Sequence, residues 1–287
     1  MFEYGQVPFP AHIHSPDSLH AARLLPLRDD DVFLVTYPKS GTTWLQELIS
    51  VVLAEGDPGP ALVAPTWERA PWLEQRGSIE TIMARTSPRV ITTHLHRHLA
   101  PEGLSKGQGK VVYLARNPKD VVVSSFHFHH IALFLEESGS WEDFFQRFLD
   151  GKTMHGSWFE HVLGWLKSDE NSNLLLLTYE ELHTEFRTSL RRLASFLGRP
   201  LDSAAEEMVS SHCSFAKMVT NCMTNYSLVP HSWINHTQGR FLRKGVLGDW
   251  KTHLTINQND KIECEFQERF TTWSDAKSFG ARIRLEG

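Results

Sequence analysis

Three stretches of this chain bring cations together with glycine, small hydroxylated residues or a helix start. The first is Thr36-Tyr37-Pro38-Lys39-Ser40-Gly41-Thr42-Thr43-Trp44. It follows the apolar run Val32–Thr36 and leads into a helical pattern. A tight turn from strand to helix exposes backbone N–H groups at the helix start, which is an anion site. Lys39 adds positive charge, and Ser40, Thr42 and Thr43 add hydroxyl donors. Nucleoside triphosphatases instead use G-x-x-x-x-G-K-[ST]. Here Lys39 precedes Gly41, and the first glycine of that pattern is missing. The loop is therefore expected to hold a phosphate-like group without a tightly bound metal. An ordinary strand-to-helix turn is the other reading.

The second stretch is Arg116-Asn117-Pro118-Lys119-Asp120, after the apolar run Lys110–Ala115. Arg116 at a strand end can grip a phosphate through two N–H groups. Ser124 lies two turns into the helix that follows and can face the same place. The alternative is an arginine tied to a structural carboxylate such as Asp120. The third is Phe241-Leu242-Arg243-Lys244-Gly245-Val246-Leu247-Gly248-Asp249-Trp250, where two cations stand beside two glycines. Glycine lets backbone approach an anion closely; a solvated basic loop is the alternative. Three anion-binding candidates point to a ligand with more than one phosphate-like group.

A base candidate closes another apolar run. In Thr92-Thr93-His94, a neutral imidazole near a bound alcohol can take its proton. His94, His96 and His98 alternate and would share one face of a strand. No carboxylate or cysteine cluster accompanies them, so no metal site is expected. His127, His129 and His130 are read as pocket lining or packing, with only His127 and His130 at neighbouring helical spacing.

The elements that must carry these groups are legible. Val32–Thr36, Arg89–Thr93, Lys110–Ala115 and Leu174–Thr178 are near-continuous apolar runs, the pattern of parallel strands covered on both faces. Trp44, Leu45, Leu48, Ile49, Val52 and Leu53 repeat at helical spacing. Asn117 is a good N-cap before Pro118. Leu182, Phe186, Leu190, Leu193 and Leu197 form one stripe, which Gly198 and Pro200 end. Gly56–Pro60 and Gly103–Gly109 read as loops. The expected fold is α/β: one domain over residues 1–287, with a central parallel β-sheet flanked by helices. Ligands of such sheets bind beyond the carboxyl ends of the strands, where the candidate loops fall.

Composition narrows the function. The 287 residues are 41% apolar and 22% charged, the balance of a globular chain. Net charge is −5, which disfavours nucleic acid or an anionic membrane surface as partner. Cys213, Cys222 and Cys264 are too few for a disulfide scaffold and form no CxxC pair, which fits a reducing compartment. Met1–Pro10 has neither a basic nor an apolar stretch, and no run approaches the ~18 apolar residues of a membrane span. A cytoplasmic location is expected.

Taken together and in order, the three anion loops resemble those of the cytosolic sulfotransferases, over roughly residues 4 to 270. The resemblance implies 3′-phosphoadenylyl sulfate as sulfuryl donor, its desulfated product 3′-phosphoadenosine 5′-phosphate (PAP), and no metal. By position, Lys39, Ser40, Gly41, Thr42, Thr43 and Trp44 resemble the loop around the 5′-phosphosulfate, with Trp44 stacking on adenine. Arg116, Ser124, Arg243, Lys244 and Gly245 resemble the 3′-phosphate site, with Phe241 and Leu242 leading into the closing loop. Tyr179 is similar to an adenine-contacting tyrosine. Cys213-Ser214-Phe215-Ala216-Lys217-Met218 resembles the adenine-side segment, with Phe215 on the other ring face and Cys213 where threonine is usual.

The likeness is to the hydroxysteroid (alcohol) branch, family 2, through Glu55-Gly56-Asp57-Pro58, Trp67-Glu68-Arg69-Ala70-Pro71-Trp72 and Phe196-Leu197-Gly198-Arg199-Pro200-Leu201. It implies His94 as catalytic base, Lys39 stabilising the departing phosphate, and Ser124 restraining Lys39. Trp72, Phe128, His129 and Trp233 are the implied acceptor pocket, for a hydroxysteroid or another small hydrophobic alcohol. Lys251–Asp260 resembles the family's short dimer segment and implies a homodimer. A phenol sulfotransferase, a catalytically silent nucleotide binder and a small-molecule kinase are the competing readings.

Overall fold

The protein is described by a computed structural model covering residues 1–167 and 173–286. Two short strands, β1 (Phe2–Tyr4) and β2 (Val7–Phe9), form an antiparallel hairpin that the sequence patterning does not announce. Gly5 and Gln6 turn it, both at positive φ as a two-residue hairpin requires.

Four strands make the central sheet: β3 (Val32–Thr36), β4 (Val90–Thr93), β5 (Lys110–Ala115) and β6 (Leu174–Thr178). Three match the apolar runs residue for residue. The exception is Arg89, which stands outside β4. Its fully buried guanidinium grips Asp31 bidentately, at 2.7 Å and 2.5 Å, and that charge pairing replaces a place in the strand. All neighbours are parallel, in the order β4-β3-β5-β6. After β3 the chain steps to one side for β4 and to the other for β5. The crevice beyond the carboxyl ends of β3 and β5 is therefore the topological switch point.

Alternate residues of each strand enter different cores. Phe33, Val35, Ile91, Val111 and Tyr113 pack with helices Pro118–Ile131, Trp141–Leu149, Trp158–Leu166 and Ile256–Phe270. Val32, Leu34, Val112, Leu114 and Leu177 pack with helices Thr42–Leu53 and Phe186–Leu197. Both faces are covered, which is why the strands read as unbroken apolar runs.

Asn117 caps its helix as expected, accepting the Lys119 N–H at 2.9 Å. The Leu182–Leu197 stripe is carried by two helices, not one. Tyr179–Thr184 ends at Glu185, whose extended φ of −133° breaks the spiral before Phe186–Leu197 begins. Leu182, Leu190, Leu193 and Leu197 still join one core, so the apolar period survives the break. The two stretches read as loops contain short 3-10 turns, Gly59–Leu62 and Glu102–Lys106.

Candidate active site

A single cavity of about 1140 Å³ opens at the switch point. That exceeds the ~300–1,000 Å³ usual for one small ligand, so it has room for two molecules side by side. One end is lined by the loops after β3 and β5, the other by side chains from distant segments.

The first end is built for anions. Lys39 and Gly41 both have positive φ, 67° and 103°, which folds the loop over the start of helix Thr42–Leu53. No side chain caps that helix, leaving its first N–H groups for a ligand. Gly41 cannot be replaced cheaply, because a Cβ there would meet the Tyr179 ring at 2.7 Å. Arg116 is held by the Lys39 carbonyl at 3.1 Å and lies 4.2 Å from the Tyr179 ring centroid. Its distance to Asp120 is 3.9 Å, too long for a strong pair. Asp120 instead accepts the backbone N–H groups of Gly248 and Trp250, at 2.9 Å and 3.1 Å. That carboxylate fastens the late basic loop over the cavity.

Within that loop Arg243 and Lys244 share the Asp249 carboxylate, at 2.6 Å and 2.5 Å. Burial opposes ionisation of Asp249, but these two hydrogen bonds hold its carboxyl below the usual range. Gly245, at φ 64°, lies where a Cβ would strike the Phe215 ring at 2.2 Å. Phe215 and the loop therefore form one wall.

Lys39 is short of partners. Its Nζ lies over the rings of Phe128 and Phe241, at 4.0 Å and 4.2 Å, and bonds no Ser124 hydroxyl. Burial and then the charges of Arg116 and Arg243 bring its pKa down to about 7. A bound anion would oppose both effects by stabilising the ammonium. Among the described residues, Ser40 Oγ, Trp44 Nε1 and Arg116 Nε are buried without a hydrogen-bond partner. Orphaned donors are costly unless a ligand or water satisfies them. The residues present thus fit a bound nucleotide with several anionic groups.

His94 stands where the two ends meet. β3 and β4 pair Val35 with Thr93, so Thr36 and His94 face each other one step beyond. His94 Nδ1–H donates to the Thr36 carbonyl at 2.6 Å. That bond fixes the tautomer and leaves the Nε2 lone pair free as a base. Burial, partly offset by the Thr36 bond, lowers the His94 pKa to about 3, so the ring is neutral at working pH. Behind it, the buried Glu74 accepts the His94 backbone N–H and the Thr93 hydroxyl, each at 2.8 Å. Burial raises Glu74 to about 7 against those two bonds.

Trp72 lies 4.6 Å from the His94 ring. It is placed by Pro71 and Leu73, which exchange backbone hydrogen bonds with Thr92 along the edge of β4. Phe128 and Trp233 also line this end.

Of the residues singled out by sequence, His94, Trp72, Phe128, Trp233, Ser124 and Tyr179 line the cavity. So do Lys39 with Gly41 to Trp44, Arg116, Cys213 to Phe215, Met218 and Phe241 to Gly245. Ser40 sits within its loop, fully buried. His129 does not line the cavity. Its Nδ1 donates to the Ser125 carbonyl at 2.8 Å and its ring packs 4.8 Å from Phe144, on the core side of the helix.

β4 ends at Thr93, so His94, His96 and His98 do not share a strand face. His96 and His98 donate separately to the carbonyls of His155 and Gly5. His127 meets His253 instead of His130. Sequence reading missed His14, Glu74, His155 and Tyr226. Tyr226 stacks on Phe241 at 3.7 Å. These lie far apart along the chain, and no local sequence signal marks them.

The sulfotransferase-domain family model matches residues 29–274. Mouse (Mus musculus) sulfotransferase 2B1 is 44% identical over 93% of this chain and 80% of its own length. A 3-beta-hydroxysteroid sulfotransferase of Cavia porcellus is 39% identical, covering 91% of each chain. The solved structure of mouse sulfotransferase SULT7A1 complexed with PAP superposes with a TM-score of 0.82 at 28% identity, over 98% of this chain and 99% of that one. The anion loops at the switch point, the shared fold and this extent of identity make the chain a member of the sulfotransferase family.

Proposed function

We propose that this chain transfers a sulfuryl group from 3′-phosphoadenylyl sulfate to the hydroxyl of a small hydrophobic acceptor, a hydroxysteroid or similar alcohol. One observation carries the reading. A single cavity joins the anion cradle of Lys39 and Arg116 to the free Nε2 of His94 and the aromatic wall of Trp72. The named relatives are consistent with it, since one is a 3-beta-hydroxysteroid sulfotransferase.

The donor supplies a sulfuryl group already activated on a phosphate, so the bond to that phosphate breaks as the bond to the acceptor oxygen forms. His94 Nε2 takes the acceptor proton. Glu74 and the Thr36 carbonyl keep the imidazole in place. Lys39, recharged by the anion beside it, stabilises the electron pair left on the phosphate oxygen. Arg116, Arg243 and Lys244 hold the 3′-phosphate, the last two by exchanging Asp249 for it. Trp44, Tyr179 and the Cys213–Met218 segment hold the adenine, and Ser124 hydrogen-bonds from its helix. Trp72, Phe128 and Trp233 present apolar area to the acceptor. Positioning and fixed charges supply most of the acceleration.

One domain over residues 1–287 performs this reaction without a required metal, in the cytoplasm. The three thiols are free, which suits a reducing setting. Among the described residues no helix is long and apolar enough to cross a membrane. The chain works as a homodimer through Lys251–Asp260. Ile256 in that segment is 82% exposed at a helix start, an apolar side chain open to a partner. No nucleic acid takes part.

His94→Ala tests the mechanism. Transfer is expected to fall by about 10²–10⁴, while PAP affinity stays within twofold. Lost PAP affinity with transfer intact would overturn the assignment.

A further inference from the structure

His14, Glu74 and His155 come from three separate segments and meet in the wall of the cavity beside His94. Each offers one ligand atom, and these atoms lie within 4.8 Å of one another. All three side chains are buried, at 2%, 1% and 3% exposure, yet all three border the cavity. We propose that they form a binding site for a divalent cation of zinc type, with an open fourth position toward the acceptor end of the cavity.

The chemistry of the set is specific. Two imidazoles and one carboxylate are the ligands of open zinc sites, and the remaining position is left to water or another ligand. His14 Nδ1–H donates to the Pro10 carbonyl at 3.2 Å, leaving the Nε2 lone pair free. A bond of that kind, on the ring nitrogen that does not ligate, is what orients a ligating histidine. His155 Nδ1 is buried with no hydrogen-bond partner among the described residues. Each Glu74 oxygen accepts one hydrogen bond and keeps lone-pair capacity. The backbone of His155 has a φ of 62°, a conformation that costs a non-glycine residue energy. Tetrahedral zinc sets about 3.4 Å between ligand atoms, which small side-chain rotations reach. The cavity supplies the entry path.

The site bears on the reaction through Glu74. That carboxylate holds the His94 backbone and the Thr93 hydroxyl. The His155 and His94 rings are 5.2 Å apart. A cation drawing on Glu74 acts on the placement of the base and occupies the wall beside it. The bound cation therefore slows transfer, and the metal-free protein is the faster form.

The test uses the full chain, without a polyhistidine tag, after chelator treatment. Cobalt(II) is titrated by visible absorption, and zinc by competition with a chromophoric chelator. One cobalt per chain with tetrahedral absorption is expected. Zinc affinity should fall at least tenfold in both His14→Ala and His155→Phe, with PAP binding measured in each as the check on folding. One equivalent of zinc should slow the wild type, chelator should restore it, and neither variant should respond relative to its own metal-free rate. Zinc binding unchanged in both folded variants would show that other histidines hold it and would overturn the site. So would the absence of any cobalt absorption in the wild type. Binding that follows the variants while zinc leaves the rate unaltered would overturn the regulatory part alone.

Discussion

The two ends of the cavity are built by opposite means. The anion end comes from two loops in register with neighbouring strands, plus one loop tied down by Asp120. Within each loop its working groups are contiguous in sequence, and many are backbone. The acceptor end gathers Trp72 with Glu74, Phe128 and Trp233 from three segments, with His14 and His155 behind them. Only side chains make it. A loop whose shape is set by strand ends and positive φ resists change. A wall assembled from scattered side chains can be altered one residue at a time. The first end therefore suits a constant donor, and the second an acceptor that differs among relatives.

The comparison breaks most sharply at Arg116. Arg116→Ala should weaken PAP about 30- to 100-fold, the scale of one charged bidentate contact. Adenosine 5′-phosphate, which lacks the 3′-phosphate, should lose far less. Equal losses by calorimetry for both nucleotides would make Arg116 a structural prop for the Lys39 loop.

A pH series probes the same end. Lys39 is down to about 7 in the free protein, and a bound anion raises it again. Below pH 7 the ammonium is already present and affinity is full. Above pH 7 binding must take up a proton, so PAP affinity falls by up to about tenfold per pH unit. Calorimetry in two buffers of different ionisation heat reads the uptake directly. Affinity flat from pH 6.5 to 8.5, with no proton uptake, would contradict the lowered Lys39 pKa.

The smallest effect sharpens the other end. Trp72→Ala removes apolar wall beside His94, and should raise the acceptor KM about tenfold. PAP affinity should not move. A change in PAP affinity instead would mean the two ends are not separable.

The same contrast explains what could be read from sequence. The four sheet strands, the Asn117 cap and the places of the loops at the strand ends were legible, because apolar runs, caps and turn residues are local signals. The strand order was not, since nothing local distinguishes β4-β3-β5-β6 from other parallel orders. Arg89 was misplaced because its partner Asp31 lies far along the chain. His129 was expected in the pocket, yet its position on the helix turns it onto Phe144. Glu74, His14 and His155 were missed for one reason: only the folded chain brings them together. The expectation of no metal rested on the missing carboxylate or cysteine cluster beside His94, His96 and His98 and on the family resemblance.

The most direct test of the account follows labelled sulfate from 3′-phosphoadenylyl sulfate to a 3β-hydroxysteroid and, in parallel, to a simple phenol. Both run with and without chelator. The account predicts transfer that survives chelation and prefers the steroid. No transfer to either acceptor, with PAP still bound tightly, would contradict it and leave the anion end a binding site without chemistry.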